Sequence, residues 1–150
     1  MFSKFETAIP ISLNVWQDPQ GNVVLRHSRE DCDVFFGCWT QAAEPADYLC
    51  KLTFRNAWAV RGLCLEGFPY QIKEHRRSCI YEVENSSWLE QVNEERLKNY
   101  SKWKSWDERK YKHFVVSGHD NYYDIVATEF EEQKIPEDEA GELVKLIREA

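Results

Sequence analysis

Glycine and proline are sparse in this chain, six and five in 150 residues, and the glycines stand far apart. Neither G-x-G-x-x-G nor G-x-x-x-x-G-K occurs, so no familiar backbone loop cradles a nucleotide's phosphates, and ATP- or NAD-dependent chemistry is not expected. The G-x-S-x-G elbow is missing too. The one S-x-x-K, Ser101-Lys102-Trp103-Lys104, lacks the companion motifs that give it meaning. Five cysteines, Cys32, Cys38, Cys50, Cys64 and Cys79, include no C-x-x-C pair. Structural zinc calls for two closely spaced ligand pairs, whereas only the loose pairs His75/Cys79 and Cys32/Cys38 exist; no metal and no cofactor is the expectation. An odd thiol count in a chain without a secretory leader predicts reduced cysteines in a cytosol. No apolar run follows a basic start after Met1, and none approaches the roughly 20 residues of a membrane helix, so neither a leader nor a membrane partner is expected.

What the chain does have is apolar and aromatic mass. The hydrophobic fraction is 43%, with six Trp, seven Tyr and eight Phe, well above a disordered composition, and the length suits a single globular domain over residues 1–150. Charge is unevenly spread. Net charge is −7, yet residues 51–119 carry thirteen basic and nine acidic groups, against ten acidic and three basic over residues 120–150. Such a molecule attracts an anion locally while repelling duplex DNA at longer range, so no double-stranded DNA partner is expected.

The hydrophobic periods predict an α+β fold. Alternation in AIPISLNVWQD predicts a strand, with Pro10 at an edge, joined through PQGN to VVLRHS as a hairpin. DVFFGCWT follows, with Gly37 a candidate bulge, completing an N-terminal antiparallel meander. In YLCKLTFRNAWAVRG the even positions are apolar and Asn56 interrupts them, which predicts a bend, a turn or a bulge there. SCIYEVEN predicts a further strand, and Ser87-Trp88-Leu89-Glu90 a capping box with Ser87 as N-cap. HFVVSGHDNYYDIVATEFE reads as a hairpin through residues 118–121. PEDEAGELVKLIREA places Ala140, Leu143, Val144 and Ile147 at helical spacing, with acids at its start and bases near its end. The sum is an antiparallel sheet of about six strands, with a middle helix and a C-terminal amphipathic helix packed on one face.

One stretch resists classification. KNYSKWKSWDERKYKH, residues 98–113, sets six Lys or Arg against two acids and interleaves four aromatics. As one continuous helix it would segregate Tyr100, Trp103, Trp106 and Tyr111 onto a buried stripe and solvate its basic face. Single-strand nucleic-acid binding needs those rings exposed, and a second capping signature at Ser105 offers a break that would surface Trp106.

The remaining candidates are an arginine set and two histidines. Arg55, Arg61, Arg76 and Arg77 can offer forks to a carboxylate or phosphate. His75 or His119, the latter beside Asp120 and near Asp124, would supply proton transfer if the chain were an enzyme on an anionic small molecule. His113 and His27 read as half-buried strand residues. The leading expectation is a non-catalytic binding or regulatory module for a protein partner or small anion; Trp and Tyr abundance and the missing catalytic motifs favour it. The alternatives are the anion-handling enzyme and single-strand binding through Trp103 and Trp106. A homodimer through an open strand edge is also compatible with the pattern.

Overall fold

The computed structural model describes residues 6–64, 68–73 and 78–148. In chain order its strands are β1 (Thr7–Pro10), β2 (Trp16–Gln17), β3 (Val24–Ser28), β4 (Asp31–Trp39), β5 (Pro45–Arg55), β6 (Ala59–Cys64), β7 (Gln71–Ile72) and β8 (Ile80–Glu84). Two helices follow, α1 (Ser87–Asn99) and α2 (Trp103–Trp106), then β9 (Lys112–Ser117), β10 (Asn121–Ala127), β11 (Glu129–Pro136), α3 (Glu137–Ala140) and α4 (Glu142–Arg148). The fold is α+β, but its strands form two sheets. One runs β6-β10-β9-β8-β1-β7; the other runs β11-β5-β4-β2, with β3 also on β4. Every pairing is antiparallel except β1 with β7.

Period-two alternation explains how the sheets meet. In β5, Cys50, Leu52 and Phe54 are fully buried while Lys51, Thr53 and Arg55 between them are half-buried on the opposite face. The buried set joins Val34 and Phe36 of β4 and faces Ile80, Phe114, Val116 and Ile125 of the other sheet in one core. Phe54 and Phe114 touch across it, with ring centroids 5.4 Å apart. Each such side chain contributes about 1.5–3 kcal/mol on burial, so this inter-sheet layer supplies much of the driving force. The outer faces carry their own covers. Ala140, Leu143, Val144 and Ile147 pack on Phe35 and Leu49 of the second sheet. On the first, Phe68, Tyr70 and Ile72 lie over Tyr81, Val115 and Tyr122.

Several sequence expectations are corrected here. The helices do not share one face: α3 and α4 cover the second sheet, whereas the start of α1 lies against the outer face of the first. The first predicted strand is not the hairpin partner of VVLRHS; β1 ends at Pro10 within the first sheet, and β2 and β3 both pair with β4 of the second. Proline has no N–H with which to extend a ladder, which suits the crossing there. The meander is β3-β4-β5, and the register shifts between Gly37 and Trp39, as the bulge predicted. Asn56, at φ +52, turns the chain from β5 in one sheet to β6 in the other, a left-handed conformation that Asn tolerates. Gly141, at φ +57, splits the predicted C-terminal helix in two without disturbing its apolar face.

The helix cap moves by one residue. Ser86, not Ser87, is the N-cap, its Oγ accepting from the Leu89 N–H at 3.0 Å, while Ser87 bonds Glu6. Residues 98–113 are not one helix either. α1 ends at Asn99, α2 is a single turn, and β9 begins at Lys112. Asp107 accounts for the end of α2, because its Oδ1 accepts the Arg109 backbone N–H at 3.2 Å, a local bond that competes with helix continuation. The aromatic stripe is thereby divided: Trp103 is buried, but Tyr100 and Trp106 are exposed. None of the helices among the described residues is long and apolar enough to cross a membrane.

Candidate functional site

Two polar clusters stand out from the apolar packing. The first is centred on Asp124 of β10, whose side chain is fully enclosed. The β9–β10 register pairs His113 with Val126 and Val115 with Asp124, so His113 and Asp124 are diagonal neighbours on one face. Arg61 of β6 lies directly opposite Asp124. His113 Nε2 reaches Asp124 Oδ1 at 2.7 Å, the Tyr70 hydroxyl donates to the same oxygen at 2.7 Å, and Arg61 Nε donates to Oδ2 at 2.7 Å. Burial alone would raise the Asp124 pKa; the bonds from His113, Arg61 and Tyr70 outweigh it and hold the carboxyl below its ordinary value.

His113 Nδ1 meets Ser86 Oγ at 2.6 Å. One proton arrangement satisfies the whole chain: Leu89 N–H donates to Ser86 Oγ, the Ser86 hydroxyl donates to Nδ1, and Nε2–H donates to Asp124. Serine, histidine and aspartate in contact invite comparison with nucleophilic catalysis. Here, however, the serine oxygen is committed as a helix cap, both imidazole nitrogens are engaged, and His113 and Asp124 have no exposed side-chain surface. Trp88 covers the edge of the network, its ring 4.4 Å from the Arg61 guanidinium and edge-to-face with the His113 ring at 5.0 Å. The arrangement ties α1, β6, β9 and β10 together.

The second cluster opens to solvent. Arg96, on the last turn of α1, is only 5% exposed. Its Cζ lies 4.3 Å from the Trp103 ring, 4.4 Å from Trp58, 5.1 Å from Trp106 and 5.7 Å from Tyr111. Asp107 pairs with it at 2.8 Å and simultaneously accepts from Arg109 Nε at 2.8 Å and the Tyr111 hydroxyl at 2.6 Å. The bond from Arg109 is the largest influence holding the Asp107 carboxyl far below its usual range, with Tyr111 and Arg96 adding to it against the cost of burial. Beside this cage, at one end of the sandwich, a cavity of about 140 Å³ is lined by Arg29, Glu30, Asn56, Trp58, Arg96 and Arg109, among others.

The residues singled out from sequence are scattered over these surroundings. Arg55 lies on β5, bonded to Asp31 at 2.8 Å and Glu131 at 3.0 Å, and Arg61 lies on β6 in the Asp124 network, so the two belong to different sheets. His75, Arg76 and Arg77 fall outside the described residues. His119 and Asp120 sit on the exposed β9–β10 turn, Nδ1 to Oδ1 at 3.0 Å, in contact with each other. Asp124, expected near His119, is instead the partner of His113. Trp103 and Trp106 both touch Arg96, one buried and one exposed. Arg29, Asn56, Trp58 and Arg96 were not legible as a group, since they come from two turns and a helix far apart in the chain. No family model, curated protein or solved structure matches this chain.

Proposed function

We propose that the protein is a non-catalytic binding module, and that its binding face is the aromatic and cationic surface around Arg96. The observation that carries this is Trp106, 61% exposed in the middle of a basic segment and edge-on to Tyr100, itself 59% exposed, at 6.4 Å between centroids. Trp58 extends the same surface at 40% exposure, since it and Trp106 stack on one guanidinium. Leu97 of α1 is exposed as well, and Lys98, Lys102, Lys104 and Lys110 lie along the segment. Large rings left in water beside an arginine fit interface centres, where aromatic residues and Arg are enriched, and the lysines around them suit a polar rim. The complementary partner is a protein segment bearing carboxylates or a small anion, met in a reducing cytosol where the five thiols remain free.

The break in the helix also favours a second reading, single-strand nucleic-acid binding, because Tyr100 and Trp106 are the kind of exposed rings on which bases stack. Capture from a native lysate, with and without nuclease, separates the two when the wild type is compared with a Tyr100→Ala/Trp106→Ala variant. A stoichiometric protein that survives nuclease and is lost from the variant supports the module. Nuclease-sensitive retention lost from the variant puts the nucleic-acid reading in its place. Identical retention by both proteins overturns this face as the binding surface.

A further inference from the structure

Around the Arg96 cavity there are more hydrogen-bond donors than acceptors. A guanidinium carries five N–H bonds. Arg96 places one of them on Asp107 through Nη2, and its Nε and Nη1 are buried with no partner. The Trp103 indole Nε1 is likewise buried without an acceptor. Arg109 gives Nε and Nη2 to Asp107 and Nη1 to Asn56, which leaves two further N–H bonds. Arg29 is exposed on the β3–β4 turn at the cavity rim, with no hydrogen bond or ion pair among the described residues. The rings around Arg96 offset its charge through their quadrupoles, but they accept at most weak hydrogen bonds. Trp103 does not line the cavity and the Arg96 Nε and Nη1 are enclosed, so an acceptor supplied from outside meets the free N–H bonds of Arg109 and Arg29, with Arg96 contributing its charge from the cavity wall.

Charge sharpens the inference. Three guanidinium groups meet two carboxylates, Glu30 on the rim and Asp107 behind the cage. One positive charge is thus left over locally, in a molecule that is acidic as a whole. Water in the cavity would meet some donors but would leave that charge uncompensated in a half-enclosed site. At about 30 Å³ per water molecule, 140 Å³ holds four or five waters, too little for a drug-sized ligand and enough for a small anionic group.

We propose that this cavity is an oxyanion site, taking one phosphate or carboxylate group between Arg29, Arg96 and Arg109, with Trp58 and Trp106 flanking whatever carries the group. The inference rests on the binding-module reading and specifies its ligand chemistry. Asn56 orients Arg109 for the task, through its Oδ1 at 2.6 Å from Nη1, and is itself held by Thr128 at 3.1 Å. The anion enters past the exposed Arg29 and stacks its carrier against the exposed indoles.

The test is a titration of the intact protein with sodium phosphate and, separately, sodium acetate, each against sodium chloride at matched ionic strength, read by tryptophan fluorescence and by Tm. A saturable change in both signals with either oxyanion is expected, and the stronger of the two identifies the group. Arg29→Gln, which removes a rim charge without touching the buried pairs, should weaken binding by about tenfold, the loss of one charge-assisted hydrogen bond. Arg26→Gln, on the preceding strand β3 and paired with Asp33 outside the cavity, should bind as the wild type does. No saturable response to either oxyanion, or an equal response from Arg29→Gln, overturns the proposal. Failure here with lysate capture intact removes only the oxyanion site; loss of capture with oxyanion binding intact removes only the wider module.

Discussion

Cys64 ends the edge strand β6 in contact with water, while Cys32, Cys38, Cys50 and Cys79 lie in the inter-sheet core. Burial pushes the thiols of Cys32, Cys38 and Cys79 up to about 12, and Cys50 moves the same way, so none offers a thiolate near neutral pH. An aromatic disulfide reagent should therefore titrate one thiol per folded chain at pH 7.5 and five after denaturation, and Cys64→Ser should abolish the native reaction. Two or more rapidly reacting thiols would mean that the inter-sheet core opens readily. At the same scale, His113 and Asp124 illustrate what residue-by-residue scanning leaves out. Each reads as an ordinary strand residue alone, yet a turn over residues 118–121 fixes the hairpin register, and that register places them on one face. The signal was in the sequence, as a relation between two strands. Arg61 completes the group only because β6 pairs with β10, a contact between strands some sixty residues apart that no local pattern encodes.

Helix α1 is held by its first turn more than by its faces. Its apolar content is low, with Arg96 its only buried residue, so the connection of Ser86 to the sheet matters unusually. Ser86→Ala removes the cap on Leu89 and strips His113 Nδ1 of its donor inside the core; the first costs about 0.5–2 kcal/mol and the second about 1–3 kcal/mol. Ser87→Ala loses only the exposed hydroxyl bond to Glu6, keeping the one from its backbone N–H, and should cost less than about 0.5 kcal/mol. Urea unfolding of the pair, read as a shift in midpoint at constant slope, checks this; equal costs would mean that the cap and its histidine contact are not what fixes the helix. The adjacent serines also explain why the helix start was legible to within one residue. Only Ser87 satisfies S-x-x-E, through Glu90, yet the choice falls to Ser86 because the core supplies it with a second partner, His113. The end of α2 was less legible, since its cap Asp107 bonds Arg96, Arg109 and Tyr111, partners that lie on both sides of it in the chain. β11 had no clear signal: its apolar residues Phe130 and Ile135 have opposite parity, and it forms because β5 presents an open edge.

Across the whole molecule, the two enclosed carboxylates set the response to acid. Asp107 and Asp124 both have folded pKa values below their unfolded ones, which lie near 3.9. A depressed carboxylate binds its proton more readily in the unfolded chain, so its contribution is complete above about pH 4 and is lost as the pH falls toward the folded value. A second effect acts over the same range. Protonating the 26 acidic side chains leaves 19 Lys and Arg and four His on a chain that was net −7, and the resulting self-repulsion also favours unfolding. Salt separates the two, because mobile ions screen exposed charges within about 8–10 Å at physiological strength but reach enclosed pairs poorly. Urea midpoints measured from pH 6 to pH 2, at low salt and at 0.5 M sodium chloride, should fall below pH 4 in both series. Asp107→Asn should flatten the fall at high salt, since it deletes one of the two linked groups. If high salt alone removes the acid transition in the wild type, net repulsion dominates, and the cage around Arg96 is not the electrostatic keystone that its geometry implies.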